Sequence, residues 1–555
     1  MVLTASTTFI ARSAAPVLDH LFPSAVQSGV TNTVTLIGKF DPWPPLLWAD
    51  SPGFTFLPAT NASDVRVVVS PDVRPGLHWV RAHSRDGASN PHLLVVTPDR
   101  LTLEQEPNDD LQKPQSVSVL PAVVEGRLEK SGDVDSYAVP LKRGETLVAW
   151  IDAYTLMTSM DQALRLVTTS NVQMAWNHDS VRSFDPLMTW TADQDGTYVV
   201  QVFGFAYPAE SEVRFAGSPK GVYRLHLSNG PVLQHTLPLG AQRGASTSLE
   251  LRGWNLGTPR PAVSFQPTEP EWIRPGFAEF QPAGFRDAIE IPLGDGLEGI
   301  ESEPNDTRDQ AGVISIPGAV SGDLNRPGDV DRFRFTAKKG EVLALEVQAA
   351  RLGFPLDAWL KVEDAAGKEL VRVDDTVGAD PKLDWTAPQD GSFFAVVGNL
   401  VGSGGTDLRY RLQLRRPTPA LQVSLADHAF AVEPGKTNNI KVTFARTHGF
   451  NSPLRIRAAG LPTELIAPPV EAAAAAADAT LKVFAPTNAS PFSGAIQIIA
   501  TETGSGREHT ATHSLASTGE NNGVPQGFSR LLREQISQIW FNVLPSTNSV
   551  PKPKP

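Results

Sequence analysis

The chain has 555 residues, a formal charge of -12 and no cysteine. That length exceeds what one hydrophobic core organises, so several domains are expected. The missing cysteines exclude disulfides and thiolate zinc sites, and the absence of a basic face or stripe argues against nucleic acid as a partner. With 41% hydrophobic and 19% charged residues the composition is that of a folding chain, and 47 prolines and 44 glycines call for many turns. No run of about 18 apolar residues offers a membrane span. Residues 1–12 have neither the charged start nor the apolar core of a signal peptide. Short Val/Leu/Phe/Thr-rich runs between turn residues predict an all-β protein of tandem β-sandwich domains.

Residues 1–15 read as a disordered N-terminus. Residues 16–100 form the first unit, with strands expected at 34–37, 65–69, 77–80 and 93–96. Residues 101–229 form the second. There, 133–139 alternates polar and apolar residues as a half-buried strand does, and 147–151 is a continuous apolar run. Asp195-Gly196 is a turn dipeptide leading into 197–202, and Tyr223 to Leu227 closes the unit.

Residues 230–299 echo the first unit. Pro23, Gln27, Gly29 and Gly38 return as Pro238, Gln242, Gly244 and Gly253, all at an offset of 215. Residues 300–416 repeat the second unit. Asp133, Gly144 and Glu145 return 196 positions later, while Asp185-Pro186, Trp190 and Asp195-Gly196 return 195 later as Asp380-Pro381, Trp385 and Asp390-Gly391. Tyr223-Arg224-Leu225 is answered by Tyr410-Arg411-Leu412 across a shortened loop. Insertions confined to loops are what a repeated sandwich should show.

Residues 417–517 predict a fifth sandwich, whose alanine run 472–477 fills a loop between prolines and Asp478. The tail, 518–555, holds an amphipathic stretch, 528–541. Leu532, Ile536, Ile539 and Trp540 share one face if it is helical, so a short helix docked on the chain itself is expected.

Two acidic runs organise this repeat. Glu104-Gln105-Glu106-Pro107-Asn108-Asp109 returns as Glu301-Ser302-Glu303-Pro304-Asn305-Asp306. Each is followed by a second cluster, Asp133 with Asp135 and Asp329 with Asp331. Calcium takes six to eight hard oxygen ligands from carboxylates, amides and carbonyls. If the strand carrying the paired aspartates meets the acidic loop, six oxygen-bearing side chains converge in each copy. A solvated acidic turn would explain one copy; the joint recurrence of both clusters favours calcium. EF-hand spacing is absent.

These motifs, with an aromatic two residues after the second aspartate, then Asp-Gly and Tyr-Arg-Leu, resemble the bacterial pre-peptidase C-terminal (PPC) domain. That module occurs at the ends of secreted peptidases and is similar to the collagen-binding domain of clostridial collagenases. The resemblance spans about 245 residues. It implies two jelly-roll-type sandwiches, export to the secreted or cell-surface space, and calcium held by Glu104, Glu106, Asn108, Asp109, Asp133 and Asp135 and by Glu301, Glu303, Asn305, Asp306, Asp329 and Asp331. Collagen binding is not carried over, because its aromatic surface is not recognisable. The second unit has Asn177-His178-Asp179-Ser180 where the family often has paired aspartates, while the fourth keeps Asp374-Asp375; these can be turn-formers rather than ligands. Units one and three resemble IPT/TIG immunoglobulin-like modules, and unit five bacterial immunoglobulin-like domains.

Motifs for serine, metallo- or phosphate chemistry are absent, so a non-catalytic reading is expected. His509 and His513, on an alternating segment, would stand roughly 13 Å apart, too far to share a metal. Trp43, Trp48 and Trp272 in Pro-rich loops could grip a sugar or peptide, but packing against their own loops is the expected state. The sequence therefore predicts a calcium-stabilised, monomeric, extracellular scaffold or binding protein whose partner is a protein or a polysaccharide. The alternatives are an accessory region of a secreted peptidase and a carbohydrate-binding protein.

Overall fold

The computed structural model describes residues 14–180, 183–205, 215–269, 274–376, 378–517 and 530–545. Trp272, most of the expected disordered N-terminus and parts of the tail lie outside them. The protein is all-β. Its described helical turns are two short 3-10 segments, Tyr154–Leu156 and Ala350–Leu352.

Five pairs of sheets follow one another along the chain, each closing on a separate core. Runs read from sequence fall inside observed strands, such as Val34–Ile37 within Thr31–Lys39 and Leu147–Ile151 within Thr146–Asp152, whereas the run 133–139 starts two residues before its strand, Asp135–Leu141. Alternation explains the packing. In Val330–Ala337 the side chains of Asp331, Phe333, Phe335 and Ala337 point inward, while Arg334 and Thr336 face solvent.

The second and fourth units share one topology. Leaving out the two-residue strand Phe215–Ala216 of the second unit, in each a five-stranded path is ordered 1-3-10-5-8 and its facing sheet 2-4-9-6-7. The parallel edge pairs also correspond: Thr102–Leu103 on Ala122–Arg127 matches Leu297–Ile300 on Gly318–Asp323. The first and third units correspond as well. Both have an irregular register next to a histidine, between Leu18 and His20 and between Leu233 and His235. Their echoed glycines have a steric reason: a Cβ on Gly38 or Gly253 would lie 2.0 Å from the carbonyl oxygen of Val17 or Val232.

The joint between the first unit and the second is built again, from equivalent positions, between the third and the fourth. Ser24 Oγ donates to Glu125 Oε2 at 2.8 Å; at the matching positions the Leu239 amide donates to Ser321 Oγ at 2.8 Å. His20 Nε2 lies 2.7 Å from Thr158 Oγ1, and in the second pair His235 meets the ring of Phe354 edge-on at 5.3 Å. Behind each joint stands an arginine. Arg224 pairs with Glu125 at 2.7 Å, and the fully buried Arg411 with Glu298.

The tail is not helical within its described part. Residues 539–543 form the strand Ile539–Val543, seated parallel to Ala429–Val432 and antiparallel to Phe492–Glu502. Ile539, Phe541 and Val543 complete the fifth core. Trp540 and Asn542 point the other way, into the first unit: Trp540 packs edge-on against Trp48, and Asn542 Nδ2 donates to the carbonyl of Ser84 at 3.2 Å. The stretch is buried on both faces, so a strand satisfies it better than a one-sided helix. Upstream, Arg533 Nη1 reaches Asp50 at 2.6 Å, and the Leu532 amide donates to the Thr155 carbonyl at 2.9 Å. Trp79, Leu93, Leu156 and Ile536 bury a shared apolar cluster there. First and last units are therefore in contact, with Arg81 Nη1 2.9 Å from His428 Nδ1. This contact replaces the rod-like arrangement that tandem modules suggest.

Candidate metal centres

The two acidic loops each meet the aspartates that precede the next inner strand. In the first copy, Asp133 and Asp135 are fully buried at the start of Asp135–Leu141, and Asn108 is buried beside them. The Ser136 amide donates to the Asn108 carbonyl at 3.2 Å, which fastens the loop to that strand. Glu106, Asp133 and Asp135 each offer an oxygen within 4.8 Å of the others; in the second copy Glu301, Glu303 and Asp331 do so.

One oxygen of each aspartate is already engaged. Glu129 and Tyr223 supply the donors in the first copy: the Glu129 amide donates to Asp133 Oδ2 at 2.5 Å, and the Tyr223 hydroxyl to Asp135 Oδ2 at 2.5 Å. In the second copy the Asn325 amide donates to Asp329 Oδ2 at 2.8 Å and the Tyr410 hydroxyl to Asp331 Oδ2 at 2.6 Å. The amides of Asn108 and Asn305 donate to Glu106 and Glu303 two residues before them. What remains is a set of buried oxygens without a hydrogen-bond donor: Oδ1 of Asn108, Asp133 and Asp135, and Oδ1 of Asn305, Asp329 and Asp331. Buried acceptors are normally satisfied. Six at equivalent positions in two copies form oxygen-only donor sets that fit a hard cation.

The electrostatics agree with that chemistry. Burial, followed by the charge of Glu104, pushes Asp135 up to about 9. Asp331 is pushed to about 9 by burial and Glu301. Burial also raises Glu104 to about 8 and Glu301 to about 7. Each pocket thus crowds carboxylates, with one cation at its edge: Lys130 Nζ lies 3.6 Å from Asp133 Oδ1 and Arg326 Nη1 3.3 Å from Asp329 Oδ1. Asp109 and Asp306 stand at the rim. Asp109 Oδ2 lies 3.3 Å from Lys130 Nζ, and Asp306 pairs with Arg326. Glu104 and Glu301 each brace a neighbouring strand by accepting from the amides of Arg127 and Asp323. Arg127 also lies over the Phe22 ring at 4.7 Å, so one residue separates the first pocket from the joint.

Sequence reasoning did not assign Tyr223 and Tyr410 to the pockets, although their Tyr-Arg-Leu motif repeats. It also gave no role to the repeated Asp-Pro. Buried Asp185 and Asp380 accept from the first amides of the two 3-10 turns, at 2.8 Å from Tyr154 and 2.6 Å from Ala350. Asp374 and Asp375 are exposed in a bend. Trp43 and Trp48 are half-buried: Trp43 stands edge-on to Phe40 at 5.7 Å, whereas Trp48 lies in the strand Leu46–Ala49 and packs on Trp540 of the tail rather than on its own loop. His509 pairs with Glu502 at 2.7 Å and His513 with the Leu425 carbonyl at 3.1 Å, so the two serve separate contacts.

No family model matches the chain. Over 111 residues it is 37% identical to a probable subtilase-type serine protease of Deinococcus radiodurans, a match covering 19% of this chain. The chain spans only 15% of that relative's length. Among solved structures, the pre-peptidase C-terminal domain of a Bacillus anthracis collagenase is matched over 99% of its own length and 20% of this chain, at 14% identity and a TM-score of 0.16. Tripeptidyl peptidase 2 is matched over 92% of this chain and 39% of its own, at 10% identity and a TM-score of 0.13. Among the described residues no helix is long and apolar enough to cross a membrane.

Proposed function

We propose that this chain is a non-catalytic, calcium-stabilised extracellular scaffold, with PPC-type sandwiches at 101–229 and 300–416 alternating with immunoglobulin-like units. The observation that carries the reading is the pair of equivalent pockets, each with three buried oxygens lacking a donor. Calcium would be held by Glu104, Glu106, Asn108, Asp133 and Asp135 in one, and by Glu301, Glu303, Asn305, Asp329 and Asp331 in the other, with Asp109 and Asp306 at the rim. The ion supplies positive charge that allows the crowded carboxylates to stay ionised. The loop is then pinned to the inner strand, and through Arg127 to the preceding unit.

Calcium calorimetry on the full chain tests this. Two equivalents are expected, falling to none in Asp135→Ala combined with Asp331→Ala. Unchanged binding in the double variant would overturn the assignment.

A second reading, as an accessory region of a secreted peptidase, draws on the local likeness to a subtilase-type protease. It predicts that the chain alone hydrolyses no peptide, and that it changes the substrate range or stability of a peptidase expressed with it. No effect on such a peptidase would leave the scaffold reading alone.

A further inference from the structure

A third group of metal-binding residues lies outside both acidic pockets. Asp161, His178 and Asp179 each offer a ligand atom within 4.8 Å of the other two. A hairpin assembles them. Asp161 immediately precedes the strand Gln162–Thr168, and His178 and Asp179 immediately follow its partner Gln173–Asn177. The register sets Asn177 opposite Leu164, so the three side chains meet where the hairpin opens.

The imidazole is held by packing. Trp176 lies nearly parallel to it at 6.1 Å, and Phe205 stands edge-on at 5.1 Å. His178 Nε2 is 3.1 Å from Asp161 Oδ1, and His178 Nδ1 is 3.6 Å from Asp179 Oδ2. Asp161 Oδ1 and His178 Nε2 are both shielded from solvent; they form an ion pair that raises the imidazole above its ordinary value, but without the alignment of a good hydrogen bond. They are close but misaligned, as two donors facing a common third atom would be. Among the described residues no lysine or arginine pairs with either carboxylate, so one imidazole faces two acids.

We propose that Asp161, His178 and Asp179 bind a divalent transition ion of the zinc class, with water completing its shell. Zinc takes nitrogen at about 2.0–2.1 Å and carboxylate oxygen at about 2.0–2.2 Å, which puts neighbouring donors of a tetrahedral shell about 3.3 Å apart. The observed spacing of His178 Nε2 and Asp161 Oδ1 is close to that edge. Imidazole suits such an ion, whereas calcium favours oxygen alone. The fourth unit supplies the contrast. Its equivalent positions, at an offset of 196, are Asp357, Asp374 and Asp375, which lack the nitrogen.

The test is zinc uptake by the full chain under saturating calcium, measured by equilibrium dialysis with elemental analysis. One tight zinc equivalent is expected. His178→Ala and Asp161→Asn should each weaken it at least tenfold while leaving calcium stoichiometry and the melting temperature in calcium unchanged, which shows that the variants fold. His178→Asp, matching the residue type of the fourth unit, should lose the zinc preference as well. Failure to take up zinc at micromolar concentration, or uptake that survives all three substitutions, would overturn the proposal.

Discussion

The second and fourth units have the same strand order and the same three donor-free oxygens, yet their surroundings differ. In the fourth, Asn305 Nδ2 donates to Glu301 Oε2 at 3.1 Å and the Tyr410 hydroxyl also approaches Glu301. In the second, both side-chain atoms of Asn108 lack a hydrogen bond. The joints differ likewise. Glu125 is shared by Ser24 and Arg224, whereas Glu298 is held by Arg411 through two of its nitrogens. Duplicated positions thus keep the donor-free oxygens and vary what surrounds them, so the two copies should respond unequally to the same change.

Removing calcium should have the largest effect. A ligand present at about 1,000 times its Kd stabilises the folded state by about 4 kcal/mol. Chelator should therefore lower the melting temperature of the wild type and leave Asp135→Ala/Asp331→Ala unmoved. Either single variant should retain one calcium equivalent, and equal loss of both equivalents would show that the copies are not independent.

Arg411→Ala comes next. It strands Glu298, which is 1% exposed, and breaking a buried pair in this way costs about 3–5 kcal/mol. Arg224→Ala should cost less, because Glu125 keeps its bond from Ser24. Urea unfolding of the two variants measures the difference, and equal losses would break the contrast.

The pH dependence follows from the raised carboxylates. Burial and neighbouring carboxylates push Asp135 and Asp331 up to about 9 in the folded protein, and Glu104 and Glu301 up to about 8 and about 7. Unfolded carboxyls release their protons near pH 4. Between these values the folded state binds more protons, so calcium-free stability should fall as pH rises from about 4 to about 9. Denaturation in chelator at pH 5 and pH 8 tests the sign. Calcium binding at pH 7 should release protons, visible as a buffer-dependent enthalpy. The smallest effect expected is that of Ser24→Ala, about 1 kcal/mol for one hydrogen bond lost at the first joint.

Much of this was legible in the sequence. Period-two alternation over 133–139 located the strand Asp135–Leu141 to within two residues, and constant offsets paired the units. The acidic positions were legible because they recur at fixed spacing. Asp161 and His178 were not, since they occur in one copy only and it is the hairpin register that brings them together. The tail misled for a physical reason. Leu532, Ile536, Ile539 and Trp540 fit a helical face, but all five residues of Ile539–Val543 are buried, and a short run buried on both sides carries no period to separate strand from helix.

That last strand also sets an order of events during synthesis. Until residue 543 has been made, Ala429–Val432 and Phe492–Glu502 lack the strand that joins them, and their open edges can pair with other chains. At 5–20 residues per second the interval between residues 502 and 543 lasts roughly 2–8 s. The first unit, finished long before, must wait still longer for Trp540 to cover Trp48. A ribosome stalled in this window would therefore hold a chain whose beginning is folded but not yet closed against its end.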